Sequence, residues 1–86
     1  MPTISRFYGL VVAMYFDDHT PAHFHVAHGD REAKVRIDTL EVIDSTLTTR
    51  DLRLVLGWAK LHQDELAANW TRARAGETLK PIEPLR

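Results

Sequence analysis

The apolar positions change period once along the chain. Up to Leu47 they alternate or run in short blocks, and beyond Thr48 they recur every three or four residues. The stretch from Leu10 to Phe16 is rich in β-branched and aromatic residues and too short for a helix, so it reads as a strand. Asp17-Asp18-His19-Thr20-Pro21 is a loop, because aspartate favours turns and Pro21 has no amide hydrogen for a ladder. His23 to His28 reads as the next strand, and Gly29-Asp30 as a turn in which the usual hairpin order of Asp before Gly is reversed. Glu32 to Asp38 alternates polar and apolar as a half-exposed strand does, and Val42 to Leu47 is a fourth strand or an irregular connection. Short turns between neighbours imply an antiparallel meander.

From Thr48 onward the pattern predicts one long helix, over about residues 49–75. Thr48 precedes Asp51 by three residues, a capping-box spacing. Leu52, Val55, Leu56, Ala59, Leu66, Trp70 and Ala73 form a stripe about 100° wide, as on a helix lying against a core. Gly57 is a tolerated defect that costs about 1 kcal/mol against alanine. Gly76 supplies the stop, and Pro81 and Pro84 keep the tail at 77–86 extended. The predicted fold is α+β: a three- or four-stranded antiparallel sheet, over about residues 4–47, packed in two layers against one C-terminal helix.

Composition narrows the function. The 86 residues suffice for one domain with a modest core. With no cysteine, a disulfide framework, a thiolate zinc site and a thiol nucleophile are excluded. Eleven basic against 12 acidic residues leave a net charge of -1, so no global basic field drives binding to nucleic acid. Arg6, Phe7, Tyr8 and Tyr15, with Arg72, Arg74 and Lys80, offer a local aromatic and basic surface for single-stranded RNA, unless the aromatics fill the core. The longest apolar run is far short of the roughly 20 residues that cross a bilayer, and the first residues lack the pattern of a signal peptide. The expected location is the cytoplasm, with no membrane partner. An open sheet edge allows a homodimer.

Five histidines are the chemical surplus, four of them between His19 and His28. His23 and His25, two apart on a strand, project from one face with their Cα atoms about 6.5 Å apart. His19 lies in the preceding loop within reach, Asp17 and Asp18 are the neighbouring carboxylates, and His28 has the opposite parity. Three readings are open. His19, His23 and His25 with an aspartate form a ligand set for a divalent metal. The same imidazoles divide the roles of base and acid in cleaving a phosphodiester without metal. Or they hydrogen-bond to their surroundings or to a partner protein and do no chemistry. On the helix, Trp58, His62, Glu65 and Asn69 fall within about 60° of one another. They are either supporting residues of the histidine site or a half-buried boundary stripe. The sequence does not decide whether His23 and His25 face the helix; Phe24 and Val26 are the better core residues of their strand, which argues for His23 and His25 on the face away from it.

Two strings carry a family resemblance. Ile4-Ser5-Arg6-Phe7-Tyr8-Gly9, Met14-Tyr15-Phe16 and Asp18-His19-x-Pro21-x-His23-Phe24-His25 resemble the opening of the small bacterial family called domain of unknown function 4160. Trp58-Ala59-x-x-His62, Glu65-Leu66 and Asn69-Trp70, then Gly76 and Ile82-x-Pro84-Leu85, resemble its second half. The chain departs from that pattern at Ala22, where a second proline is usual, and over Asp44 to Leu47, before the helix. The resemblance implies one component of a two-gene, toxin–antitoxin-like module with a small cognate protein. It makes the histidines candidates for RNA cleavage or for partner binding.

Overall fold

The computed structural model describes residues 2–86. Five strands, β1 (Thr3–Phe7), β2 (Leu10–Ala13), β3 (His23–His28), β4 (Arg31–Arg36) and β5 (Val42–Ser45), precede two helices, α1 (Thr49–Leu61) and α2 (Gln63–Arg74). The strands form one antiparallel sheet in sequence order. The predicted α+β class and meander hold, but the strand count is five rather than three or four, and the single helix is two.

The additional strand is β1, joined to β2 through Tyr8-Gly9, with φ of 50° and 80°. Positive φ at both central residues is the type I′ hairpin pattern. Asn-Gly usually marks it in a sequence, and a tyrosine in the first place hides it. At Gly29 only the first central residue has positive φ, 63°, the II′ pattern that suits Gly before another residue. β2 ends at Ala13, so Tyr15 is half-buried and Phe16 exposed in the connection to β3.

Thr48 accepts the Asp51 amide hydrogen at 3.2 Å and so caps α1. The predicted reciprocal bond is replaced: the Asp51 carboxylate accepts from His28 Nδ1 at 2.8 Å and ties the helix start to the end of β3. The His28 ring lies over Gly9, where an added Cβ would come within 2.8 Å of Nε2. Gly9→Ala therefore meets both a left-handed backbone and a ring already engaged by Asp51. It is expected to cost about 1–3 kcal/mol. Gly29→Ala meets open space and only the backbone penalty. Urea midpoints of the two variants compare them directly, and equal midpoints would remove the role given to the ring.

α1 breaks at His62, whose φ of −125° and ψ of 24° are not helical. The chain resumes at Gln63, which donates through Nε2 to the carbonyls of Ile37 at 2.9 Å and Asp38 at 3.3 Å. This bend seats the start of α2 at the end of β4. At its far end Gly76 (φ 71°) closes a Schellman motif, with Glu77 N–H bonded to Arg72 O and Gly76 N–H to Ala73 O.

The core joins Phe7, Leu10, Val12, Phe24, Val26 and Val35 of the sheet to Val55, Trp58, Ala59 and Leu66 of the helices. Ile82 of the tail is buried with them. The buried helical stripe differs from expectation: Leu52, Leu56 and Trp70 are only half-buried, while Trp58 and Asn69 are fully buried. The cause is the tail, a third surface packed on the helices beside the sheet. Asn69 donates to Lys80 O and accepts from Lys80 N–H, Trp58 Nε1 donates to Glu83 O, and Ile82 N–H reaches Ile4 O on the β1 edge. Among the described residues no helix is long and apolar enough to cross a membrane.

Candidate functional site

The loop from Asp17 to Pro21 and the first half of β3 bring three ligand-type side chains together. β3 turns Phe24 and Val26 into the core, so the strand period sends His23 and His25 to the other side. Their rings lie 5.1 Å apart. The loop folds back so that one oxygen, Asp18 Oδ2, sits 2.8 Å from His25 Nε2 and 3.3 Å from His23 Nε2. Ligand atoms of Asp18, His23 and His25 all lie within 4.8 Å of one another. Two strand positions and one loop residue thus form a cluster from a segment of eight residues.

The second ring nitrogen of His23 is committed. Nδ1 lies 2.7 Å from Pro21 O. A carbonyl oxygen only accepts, so Nδ1 carries the proton and donates. In neutral His23 the remaining nitrogen, Nε2, is then a bare lone pair facing a carboxylate oxygen. His25 has no such commitment and donates from Nε2 to Asp18. The face around the cluster is mixed in charge. Across the β3–β4 ladder, Arg36 stands opposite His23 and Lys34 opposite His25, with Asp44 next in the same row on β5. Arg36 is paired with Asp38, and the hydrogen bond from that guanidinium holds the Asp38 carboxyl below its usual range. Glu32 and Asp44 line a small hollow with His25 and Lys34.

Aromatic and helical groups enclose the cluster. Tyr15 meets the His25 ring edge-on at 4.6 Å, and Trp70 packs on His23 at 5.5 Å. His23 is only 8% exposed. Parity puts both imidazoles on the side opposite Phe24 and Val26, but that side is not clear of the helices at His23, where Trp70 of α2 packs on the ring.

The other expected site residues are placed elsewhere. His19 is exposed and is not among the converging ligand atoms. His62 and Glu65 bond to each other at 2.6 Å, beside the break between the helices. His62 also stacks on Trp58 at 5.4 Å. Trp58 and Asn69 hold the tail. His28 forms a separate pair with Asp51, which depends on a contact between β3 and α1 and has no local signal. Trp70 was expected only as a core residue, and Pro21 only as a loop former. The role of a main-chain carbonyl in setting a tautomer leaves no mark in residue type.

Comparison with known proteins returns one family. No curated protein and no solved structure matches the chain. The profile of the family described as domain of unknown function (DUF4160) matches residues 9–71, which takes in the Asp18, His23 and His25 cluster, both helices up to Thr71 and all strands but β1. With well over half of its length matched, the chain belongs to the DUF4160 family.

Proposed function

We propose that the protein is a metal-binding module whose centre is the two-histidine, one-carboxylate set of His23, His25 and Asp18. One observation carries this reading. His23 Nδ1 is held by Pro21 O, which turns the Nε2 lone pair onto the same Asp18 oxygen that His25 reaches. A lone pair against a carboxylate is repulsive unless a cation stands between them. A ligand imidazole that donates its other nitrogen's hydrogen to a backbone carbonyl is a recurrent outer-shell arrangement. Nitrogen and oxygen ligands at about 2.0–2.2 Å from a metal lie about 3.0–3.5 Å from each other at neighbouring corners; the 3.3 Å His23 contact falls in that range, and the 2.8 Å His25 contact is a hydrogen bond that an ion would open slightly and replace. The donors suit zinc, nickel or ferrous iron. Three protein ligands leave positions for water and a small oxygen-donor ligand, the arrangement of a reactive centre rather than a closed structural one.

The experiment is elemental analysis of the purified protein, followed by Co²⁺ titration of the metal-free form. Near one zinc, nickel or iron per chain, or uptake of one Co²⁺ with a shifted visible spectrum, is expected. Saturation at a hundred times Kd is also expected to stabilise the fold by about 2.7 kcal/mol, read as a raised unfolding midpoint. Uptake falls in acid, because each imidazole ligand must be neutral. A chain that takes up no ion of this group removes the reading.

A second reading rests on the same contact, since a proton on His23 satisfies it as a metal does. The protein would then be a cytoplasmic component of a toxin–antitoxin-like pair, cleaving RNA with the imidazoles as acid and base. Lys34 and Arg36 across the ladder would meet phosphate. RNA degradation that persists with a chelator and disappears in His23→Ala and His25→Ala favours it. Absence of degradation by the parent chain removes it.

A further inference from the structure

We infer that Trp70 and Arg74, one turn apart at the end of α2, are positioning residues of the metal centre, an inference that rests on the metal-binding reading above. Arg74 Nη1 donates to Asp18 O at 3.3 Å, a contact across 56 residues of chain. Its guanidinium lies 5.9 Å from the centre of the Trp70 ring, and that ring packs on His23 at 5.5 Å. The sequence of contacts from Asp18 main chain to Arg74, to Trp70, to His23 closes a circuit around the ligand atoms.

The ligand loop needs such a support. Asp17, His19, Thr20 and Pro21 are all exposed. Asp18, the one carboxylate of the set, therefore stands on a segment with little packing of its own. Arg74 fixes its main chain at the carbonyl, while the side chain turns the other way to the imidazoles. Trp70 acts on the second ligand. It packs on the His23 ring at 5.5 Å, while the bond from Nδ1 to Pro21 O holds the ring from the other end. The supporting element is hydrogen-bonded at both ends, by the Schellman motif that follows Arg74 and by Gln63 at the β4 end. α2 thereby transmits the position of the sheet end to the loop. Outer groups that orient metal ligands typically change affinity by about 10–100-fold when removed. The proposal puts Arg74 and Trp70 in that class, since neither is among the side chains whose ligand atoms converge.

Co²⁺ titration of the full chain tests this. Arg74→Ala is expected to bind Co²⁺ about tenfold more weakly than the parent, with a changed visible spectrum. Arg74→Lys, which keeps a donor and loses the stacked plane, is expected to fall between. Circular dichroism under the titration conditions establishes that each variant is fully folded, so that a loss of affinity is not a loss of fold. Trp70→Phe supplies a separate readout. Bound Co²⁺ is expected to quench the emission of the parent, and most of that quenching is expected to vanish when only Trp58 remains. Affinity of Arg74→Ala within about threefold of the parent and an unchanged spectrum overturn the inference, as does full quenching in Trp70→Phe. If the parent binds no Co²⁺, the metal-binding reading itself fails, a result distinct from the others.

Discussion

Asp18→Ala is expected to abolish tight metal uptake, with a loss of at least about a hundredfold in affinity and little change in the fold of the metal-free chain. Asp18 contributes the only carboxylate of the cluster, and its Oδ2 is the atom that both imidazoles share. Removing it leaves two neutral donors and takes away the one negative charge that offsets a divalent ion. The metal-free form should tolerate the change, because Asp18 lies in a loop and its side chain is partly solvated. There, the His23 lone pair loses a repulsive neighbour while half-exposed His25 exchanges its bond to Asp18 for one to water. His28→Ala is the matched control. It removes a histidine from the same strand without touching the ligand set; it lowers stability by unpairing Asp51, but at temperatures where the variant is fully folded its Co²⁺ affinity should equal that of the parent. Calorimetric or spectroscopic titration of the three proteins decides the matter. An Asp18→Ala protein that binds as tightly as the parent would place the ion elsewhere.

Trp58→Ala should produce the largest loss of stability, about 3–5 kcal/mol. The indole is fully buried. It packs on Phe7 at 5.2 Å, on Phe24 at 6.3 Å and on His62 at 5.4 Å. It also joins three layers, since Nε1 donates to Glu83 O in the tail. Small domains have total stabilities of about 5–15 kcal/mol, so the variant should be largely unfolded at modest urea concentrations. Trp58→Phe, which keeps most of the apolar surface and loses the donor, should cost about 1–3 kcal/mol. Denaturation followed by far-ultraviolet circular dichroism measures both. A loss below about 1 kcal/mol in Trp58→Ala would show that the tail and helices pack independently of this residue.

The fold class was legible because it depends on period. Alternation before Leu47 and three- and four-residue spacing after it survive any detail of packing. The details that were not legible each depend on a partner distant in sequence. The β1 hairpin was missed because Tyr8 takes a backbone conformation that its residue type disfavours. The break at His62 was missed because no Gly or Pro marks it, and the bend is drawn by Gln63 reaching two carbonyls at the β4 end. Trp58 and Asn69 read as a boundary stripe against the sheet alone, and it is the tail that buries them. Asn69, polar and fully buried, accepts at Oδ1 from the Lys80 N–H and the Arg72 guanidinium and donates from Nδ2 to Lys80 O. Of the histidines, parity made His23 and His25 neighbours and set His28 apart. Parity did not reveal which face α2 would reach, because that depends on where the helix bends.

The contact between Arg74 and Asp18 also joins the most local part of the molecule to its most distant. The sheet is a meander whose strands pair with their neighbours in sequence. Asp18, His23 and His25 all come from that local part, whereas Arg74 reaches Asp18 from 56 residues further along the chain. On the metal-binding proposal, a sheet without its docked helices would carry the three donors with the Asp18 loop unsupported. Tight binding would then require the whole domain, and a fragment holding only the strands would bind weakly.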